Sequence, residues 1–227
     1  MRHKSCKSVW IVIGLACVLC GCRIDDIPLG ASKAQPSDTI KRDCLVTFFS
    51  GGNSTYYSRQ THTIVPSART IRMTATEPGG TYIWSLSSDR FSSTVGPERK
   101  SPVAVINGRI LTAILSAFTA TLAPQDTSPP AGTETVNIDG QWYVSSPAPD
   151  ISANATLFRR LDSGMVDLVW VSDQDAQSIV IARSYNMQPL DTTARILPGS
   201  IDILIADSPT TQPKRILRID YRTPAVP

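Results

Sequence analysis

The chain has 227 residues, 41% of them hydrophobic and 18% charged, with 22 Lys plus Arg against 19 Asp plus Glu for a formal charge of +3. Removing Arg2, Lys4 and Lys7, all within the first seven residues, leaves 19 basic against 19 acidic side chains, so the remainder is formally neutral. That balance excludes bulk charge as a means of holding nucleic acid or anionic lipid, while the length allows one sizeable hydrophobic core.

The basic stretch Met1 to Lys7, an apolar run from Val9 to Leu19 and the tetrapeptide Leu19-Cys20-Gly21-Cys22 follow one another in the layout of a secretory signal. The apolar run is shorter than the roughly 20 residues that a membrane-spanning helix needs. Leu19 at −3 and Gly21 at −1, ahead of Cys22, resemble the lipobox of bacterial lipoproteins. In that family the cysteine thiol receives a diacylglycerol and a peptidase cuts before it. The resemblance implies residues 1–21 as signal peptide, Leu19 and Gly21 as peptidase-recognition positions, and a covalent diacylglycerol on Cys22 as membrane anchor. Gly21 leaves the peptidase room, and a thiolate is the nucleophile that lipid transfer requires. Two or three acyl chains, palmitate-like in length, anchor stably where one does not. Cys20 is the poorer acceptor because bulky Leu19 would stand at −1. Arg23 rather than an aspartate follows Cys22, which by the family's sorting rule implies the outer membrane, facing the periplasm, rather than the inner one.

Cleavage there removes Cys6, Cys17 and Cys20, lipidation occupies Cys22, and Cys44 alone is left. No intramolecular disulfide is available. Cys44 is expected as a small buried hydrophobe. Residues 22–43, rich in Pro, Gly, Ser, Lys and Asp, are expected as the lipidated cysteine and a flexible tether spanning on the order of 25 Å, and 44–227 as one mainly-β domain.

Along that domain, Thr70 to Ala75 alternates polar and apolar residues, and Tyr82 to Leu86 sets Tyr82, Trp84 and Leu86 on one face. Glu77-Pro78-Gly79-Gly80 supplies the turn of a hairpin. After Asn107 and Gly108, Ile110, Leu111, Ile114, Leu115, Phe118 and Leu122 recur at helical spacing until Pro124. This predicts a helix of three to four turns. The Pro-rich stretch Ala123 to Thr135 reads as a surface loop. Strands are then expected at Thr156 to Leu161, Val166 to Val171, Ser178 to Arg183, Ser200 to Ile205 and Arg215 to Tyr221, joined by short turns at Asp162-Ser163-Gly164, Ser172 to Asp175 and Asp207 to Pro213. Such a run is an antiparallel meander. The expected fold is mainly β (α+β), a single curved antiparallel sheet or unclosed barrel with the one amphipathic helix packed on its concave side.

Catalytic and metal chemistry find little footing. His62 is the only histidine after the signal, lies in the polar stretch Arg59 to Thr63, and has no Gly-x-Ser-x-Gly elbow to serve. No spacing of His, Cys or carboxylate suits zinc, and Ser172-Asp173-Gln174-Asp175 lacks the ligands of a calcium loop. Arg159 and Arg160 beside Phe158 point to opposite faces of a strand and make no nucleic-acid patch. No catalytic residue, no metal and no cofactor beyond the diacylglycerol are expected, and the chain reads as a non-enzyme.

The order of these features resembles the lipoprotein-carrier superfamily (LolA/LolB-like): the strands Ile71 to Ala75 and Tyr82 to Leu86, the helix Ile110 to Leu122, Asp139-Gly140-Gln141-Trp142-Tyr143, Val169-Trp170-Val171-Ser172-Asp173, and Leu197-Pro198-Gly199-Ser200-Ile201-Asp202-Ile203 before a last strand ending at Tyr221. The resemblance implies an unclosed barrel with a helical lid over an apolar groove for acyl chains or other lipoproteins. It implies Trp84, Ile114, Leu115, Phe118 and Trp170 as groove contacts. The alternative is a structural or adhesive β-sandwich acting through its outer face.

Overall fold

The computed structural model describes residues 38–222 except 79, 88–89, 96–101, 123–134, 149–151, 173–177, 190–195 and 209–210. Cys22, Leu19, Gly21, most of the expected loop Ala123 to Thr135 and the turn after Ser172 lie outside these residues. Five strands come first: β1 (Ile40–Ser50), β2 (Asn53–Val65), β3 (Thr70–Glu77), β4 (Gly80–Ser87) and β5 (Arg90–Ser93). A 3-10 turn (Pro102–Val105) leads into helix α1 (Gly108–Leu122). Then follow β6 (Thr135–Ile138), β7 (Gln141–Pro147), β8 (Ala155–Arg160), β9 (Val166–Ser172), β10 (Ile179–Tyr185), the short β11 (Gln188–Pro189) and β12 (Ile196–Leu197), β13 (Ser200–Ala206) and β14 (Lys214–Tyr221).

Twelve of the strands form one sheet in the order β5-β4-β3-β2-β1-β14-β13-β10-β9-β8-β7-β6, and every pairing in it is antiparallel. β11 and β12 pair as a separate ribbon. Two hairpin turns follow from residues that tolerate positive φ: Gly51-Gly52 between β1 and β2, and Asp139-Gly140 between β6 and β7. The expected meander is formed, with the turn after Arg160 where the sequence puts it. A two-sheet sandwich is not formed, because the strands belong to one continuous ladder.

Curvature follows from what α1 touches. It contacts both β4 and β9, which stand seven places apart in the sheet. In a flat sheet that separation is roughly 34 Å, whereas a helix with its side chains is only about 10 Å across. The sheet must therefore curl around the helix. Its edges, β5 and β6, stay unpaired with one another. The inner face carries Val46, Phe48, Ile71, Met73, Trp84, Val180, Ile201, Ile203, Leu217 and Ile219, all buried against the helix in one core.

The folded region starts earlier than expected. β1 begins at Ile40, inside the segment 22–43 expected as tether, and Arg42 lies inside the fold at 5% exposure. Its Nη1 donates to the Pro198 carbonyl at 3.0 Å, and Nη2 donates to Gln188 Oε1 at 2.8 Å and the Arg222 carbonyl at 2.9 Å. A charged residue in a Pro-, Ser- and Lys-containing stretch reads as solvated; here the carbonyls of the β10–β13 connection and of the residue after β14 take the place of water. Arg42→Ala is expected to lower unfolding free energy in urea by about 3 kcal/mol, since it strands those acceptors, while exposed Lys41→Ala changes it by less than about 0.5 kcal/mol. Equal, negligible effects would return this segment to the tether.

Candidate functional site

The candidate site is the apolar interior between the curled sheet and α1, which is a packed core in which the helix occupies the space the sheet encloses. Asn107 caps the helix: its Oδ1 accepts from the Ile110 amide at 3.1 Å and its carbonyl from the Leu111 amide at 3.1 Å. Ten of the fifteen helical residues are buried. On a 3.6-residue helix they leave only a narrow stripe around Thr112 and Thr119 partly open. The helix is thus enclosed nearly all round rather than covered on one face. Threonines fit this surrounding because Thr112 and Thr119 hydroxyls donate to the carbonyls of Gly108 and Leu115, at 3.0 and 2.9 Å.

At its first turn α1 is fixed to the sheet by Arg109, which donates to Ser178 Oγ at 3.0 Å, the Ser178 carbonyl at 2.5 Å and the Val171 carbonyl at 3.4 Å. Toward the other end, Phe118 meets the Tyr221 ring edge-on with centroids 5.3 Å apart. The helix therefore runs along the channel from the Val171 end of β9 to the Tyr221 end of β14. Two polar atoms in this packed interior, Trp84 Nε1 and Ser116 Oγ, find no hydrogen-bond partner among the described residues.

One wall of the channel is polar. Tyr221 Oη lies 2.9 Å from His62 Nδ1, and His62 Nε2 lies 3.1 Å from Gln60 Oε1. Gln60 Oε1 can only accept, so Nε2 carries the proton and Nδ1 accepts from the tyrosine. Gln60 Nε2 donates to Ser58 Oγ at 3.4 Å, Ser58 Oγ donates to Glu77 Oε1 at 2.9 Å, and Tyr56 Oη donates to Glu77 Oε2. Both nitrogens of His62 are therefore taken by an amide and a phenol, and no serine or carboxylate is poised on it. Cys44, beside this row, donates its thiol to the Gln60 carbonyl at 3.6 Å, and burial pushes its pKa up. The expected small buried cysteine is what β1 carries.

The five residues expected in the groove do not all meet. Trp84, Ile114 and Phe118 are fully buried and Leu115 nearly so, in the single core between helix and sheet. Trp170 lies on the opposite face of the sheet with Phe158 and Leu168, its ring centroid 4.5 Å from that of Phe158. There it lines an outer groove of about 280 Å³ with Ile138, Ile181, Leu204 and Arg183. On β9 it is Val169 and Val171 that face the helix core.

No family model matches the chain, and no curated protein matches it in sequence. Solved structures do resemble it. A LolA superfamily protein from Nitrosomonas europaea aligns over 83% of this chain and 86% of its own, with a TM-score of 0.46 and 11% identity. A DUF1329 family protein from Desulfovibrio piger aligns over 83% and 85%, with a TM-score of 0.35 and 10% identity. A domain assigned to outer membrane lipoprotein sorting from Vibrio parahaemolyticus aligns over 83% and 85%, with a TM-score of 0.38 and 8% identity. No residue role is transferred from any of them.

The polar wall is what sequence reasoning missed. Its signal was present in the two-residue spacing of Ser58, Gln60, His62 and Ile64, which face inward on β2 while Tyr57, Arg59, Thr61 and Thr63 do not. Burial lowers the His62 pKa from 6.5 to about 3. Over that window the unfolded chain binds a proton that the folded chain does not, so stability is complete above about pH 6.5 and is lost as pH falls toward 3. Between pH 7 and pH 5, wild type is expected to lose about 2 kcal/mol more unfolding free energy than His62→Gln, measured by urea titration at each pH. Parallel losses in the two proteins would remove His62 as the source.

Proposed function

We propose that this chain is a lipid-anchored, non-enzymatic binding protein of the bacterial cell envelope. In this reading a diacylglycerol on Cys22 holds it at the outer membrane facing the periplasm, and the channel now filled by α1 receives acyl chains, free or borne by lipoproteins. One observation carries the reading: the sheet encloses a channel, and what fills it is a separate helix rather than the sheet's own side chains alone. The sheet's hydrogen-bonded ladder does not include α1, so the helix can leave without breaking a strand pairing.

The interface it would leave is apolar but imperfect. Ser116 Oγ and Trp84 Nε1 are buried without partners among the described residues, and each such group costs about 1–3 kcal/mol. An incoming acyl chain offers about 0.8 kcal/mol per buried methylene and no polar group to strand. An apolar wall from Ile71, Met73, Val169 and Val180 suits the chain's methylenes.

Two measurements test this. The domain stripped of lipid should bind a fluorescent fatty acid saturably, and Ser116→Ala should raise unfolding free energy by about 1 kcal/mol while weakening binding about fivefold, because displacing a better-packed helix costs more. Absence of saturable binding would sink the carrier reading. Cells fed labelled palmitate should label the wild-type chain and not Cys22→Ser; label on both would move the anchor elsewhere.

A further inference from the structure

The formal neutrality of the chain after residue 21 hides an uneven surface. By the strand pairings, the start of β1, the β2–β3 turn, the β6–β7 and β8–β9 turns and the ends of β10 and β14 all lie at one end of the sheet. The described chain begins at that end, at Asp38. Two hairpins there present large apolar side chains to solvent: Trp142, 55% exposed, next to the β6–β7 turn, and Leu161, 47% exposed, in the β8–β9 turn. The Leu161 amide donates to the Trp142 carbonyl at 3.0 Å, which sets the two residues side by side.

The tips are held rather than loose. Arg160 Nη2 donates to Gln141 Oε1 at 3.0 Å across the two hairpins, and its Nε donates to Asp162 Oδ1 at 3.0 Å. Arg159 Nη1 donates to the Gly164 carbonyl at 2.7 Å and closes the second turn. Lys41, Arg69 and Arg222 are exposed at the corresponding ends of their own strands. The acidic side chains nearest the tips, Asp139 and Asp162, are paired to Arg183 and Arg160. Tyr57, another exposed aromatic, stands near the opposite end of β2 with its hydroxyl on Ser54 Oγ.

We infer that this end of the sheet docks on the bilayer, with Trp142 and Leu161 entering the interface of a membrane that contains anionic phospholipid. A Trp and a Leu side by side on rigid tips, with Arg159 and Arg160 next to them, is a composition that headgroup-level contact favours. The inference rests on the proposed anchor for its direction. Fifteen residues separate Cys22 from Asp38, and the described chain begins at this end, so a lipid on Cys22 would favour this end, not the far one, for the membrane. A protein partner would need no such tether.

The test uses the whole chain from residue 22 with Cys22→Ser, so that no lipid is attached. It is mixed with vesicles of phosphatidylethanolamine and phosphatidylglycerol, some carrying brominated acyl chains. Three tryptophans remain in that chain, and Trp84 is fully buried. Emission should be quenched by the brominated lipid, and Trp142→Phe should abolish the quenching. Co-flotation with vesicles should weaken about tenfold or more in Trp142→Ser/Leu161→Ser, whose unfolding midpoint stays close to wild type because both positions are exposed. Unquenched emission, quenching that survives Trp142→Phe, or flotation unchanged in the double variant overturns the inference. Loss of palmitate labelling on the wild-type chain would overturn the anchor instead, and it leaves this measurement unaffected.

Discussion

Everything else in the molecule depends on twelve strands having one helix to share. A sheet this wide with an apolar inner face cannot stay flat over a cylinder about 10 Å across, so it curls until strands from both halves reach the same side chains. Closure into a barrel does not follow, because α1 sits in the connection between the two edges: the chain leaves the sheet at β5, passes through the channel, and re-enters at β6. The ladder is therefore complete without the helix, and the helix is held without contributing a strand.

The seam where the halves meet is β1 against β14, with Cys44 opposite Tyr221. Side chains bind that seam more firmly than its backbone pairing alone. Tyr221 on β14 reaches across β1 to His62 on β2, and the Arg42 guanidinium of β1 stacks 5.0 Å from the Tyr221 ring centre while bonding the carbonyls of Pro198 and Arg222. On the outer face Asp202, 2% exposed, is held by Arg215 at 2.9 Å. Buried polar groups stabilise when they find partners, and the Tyr221, His62 and Arg42 contacts gather where the N-terminal and C-terminal meanders meet.

Legibility in the sequence tracks how many faces of a strand are apolar. β3 and β4 have one buried face, so Ile71, Met73 and Ala75, and Tyr82, Trp84 and Leu86, stand out by alternation. The helix was legible because its apolar residues recur every three to four positions. β2 was not, since three of its inward positions are Ser58, Gln60 and His62. Trp170 was misassigned for the opposite reason: β9 is buried on both sides, by the helix core inside and the Phe158 cluster outside, which erases the two-residue period that would have turned it outward. Arg42 escaped notice because a buried guanidinium satisfied by distant carbonyls leaves no local trace.

The two ends of the channel are not equivalent, and the difference bears on how it could open. The described hydrogen bonds from α1 to the sheet belong to Arg109, at the Val171 end. Toward the Tyr221 end the contacts are apolar, and the Thr119 and Thr121 hydroxyls donate to the helix's own carbonyls. A swing about the Arg109 turn would break none of those sheet bonds, and it would uncover the apolar core together with the Tyr221–His62 row of the polar wall. The Tyr221 end is also where the described chain begins and where Trp142 and Leu161 stand. With those tips on a bilayer, as proposed above, the less firmly tied end of the helix would be the one nearer the lipid.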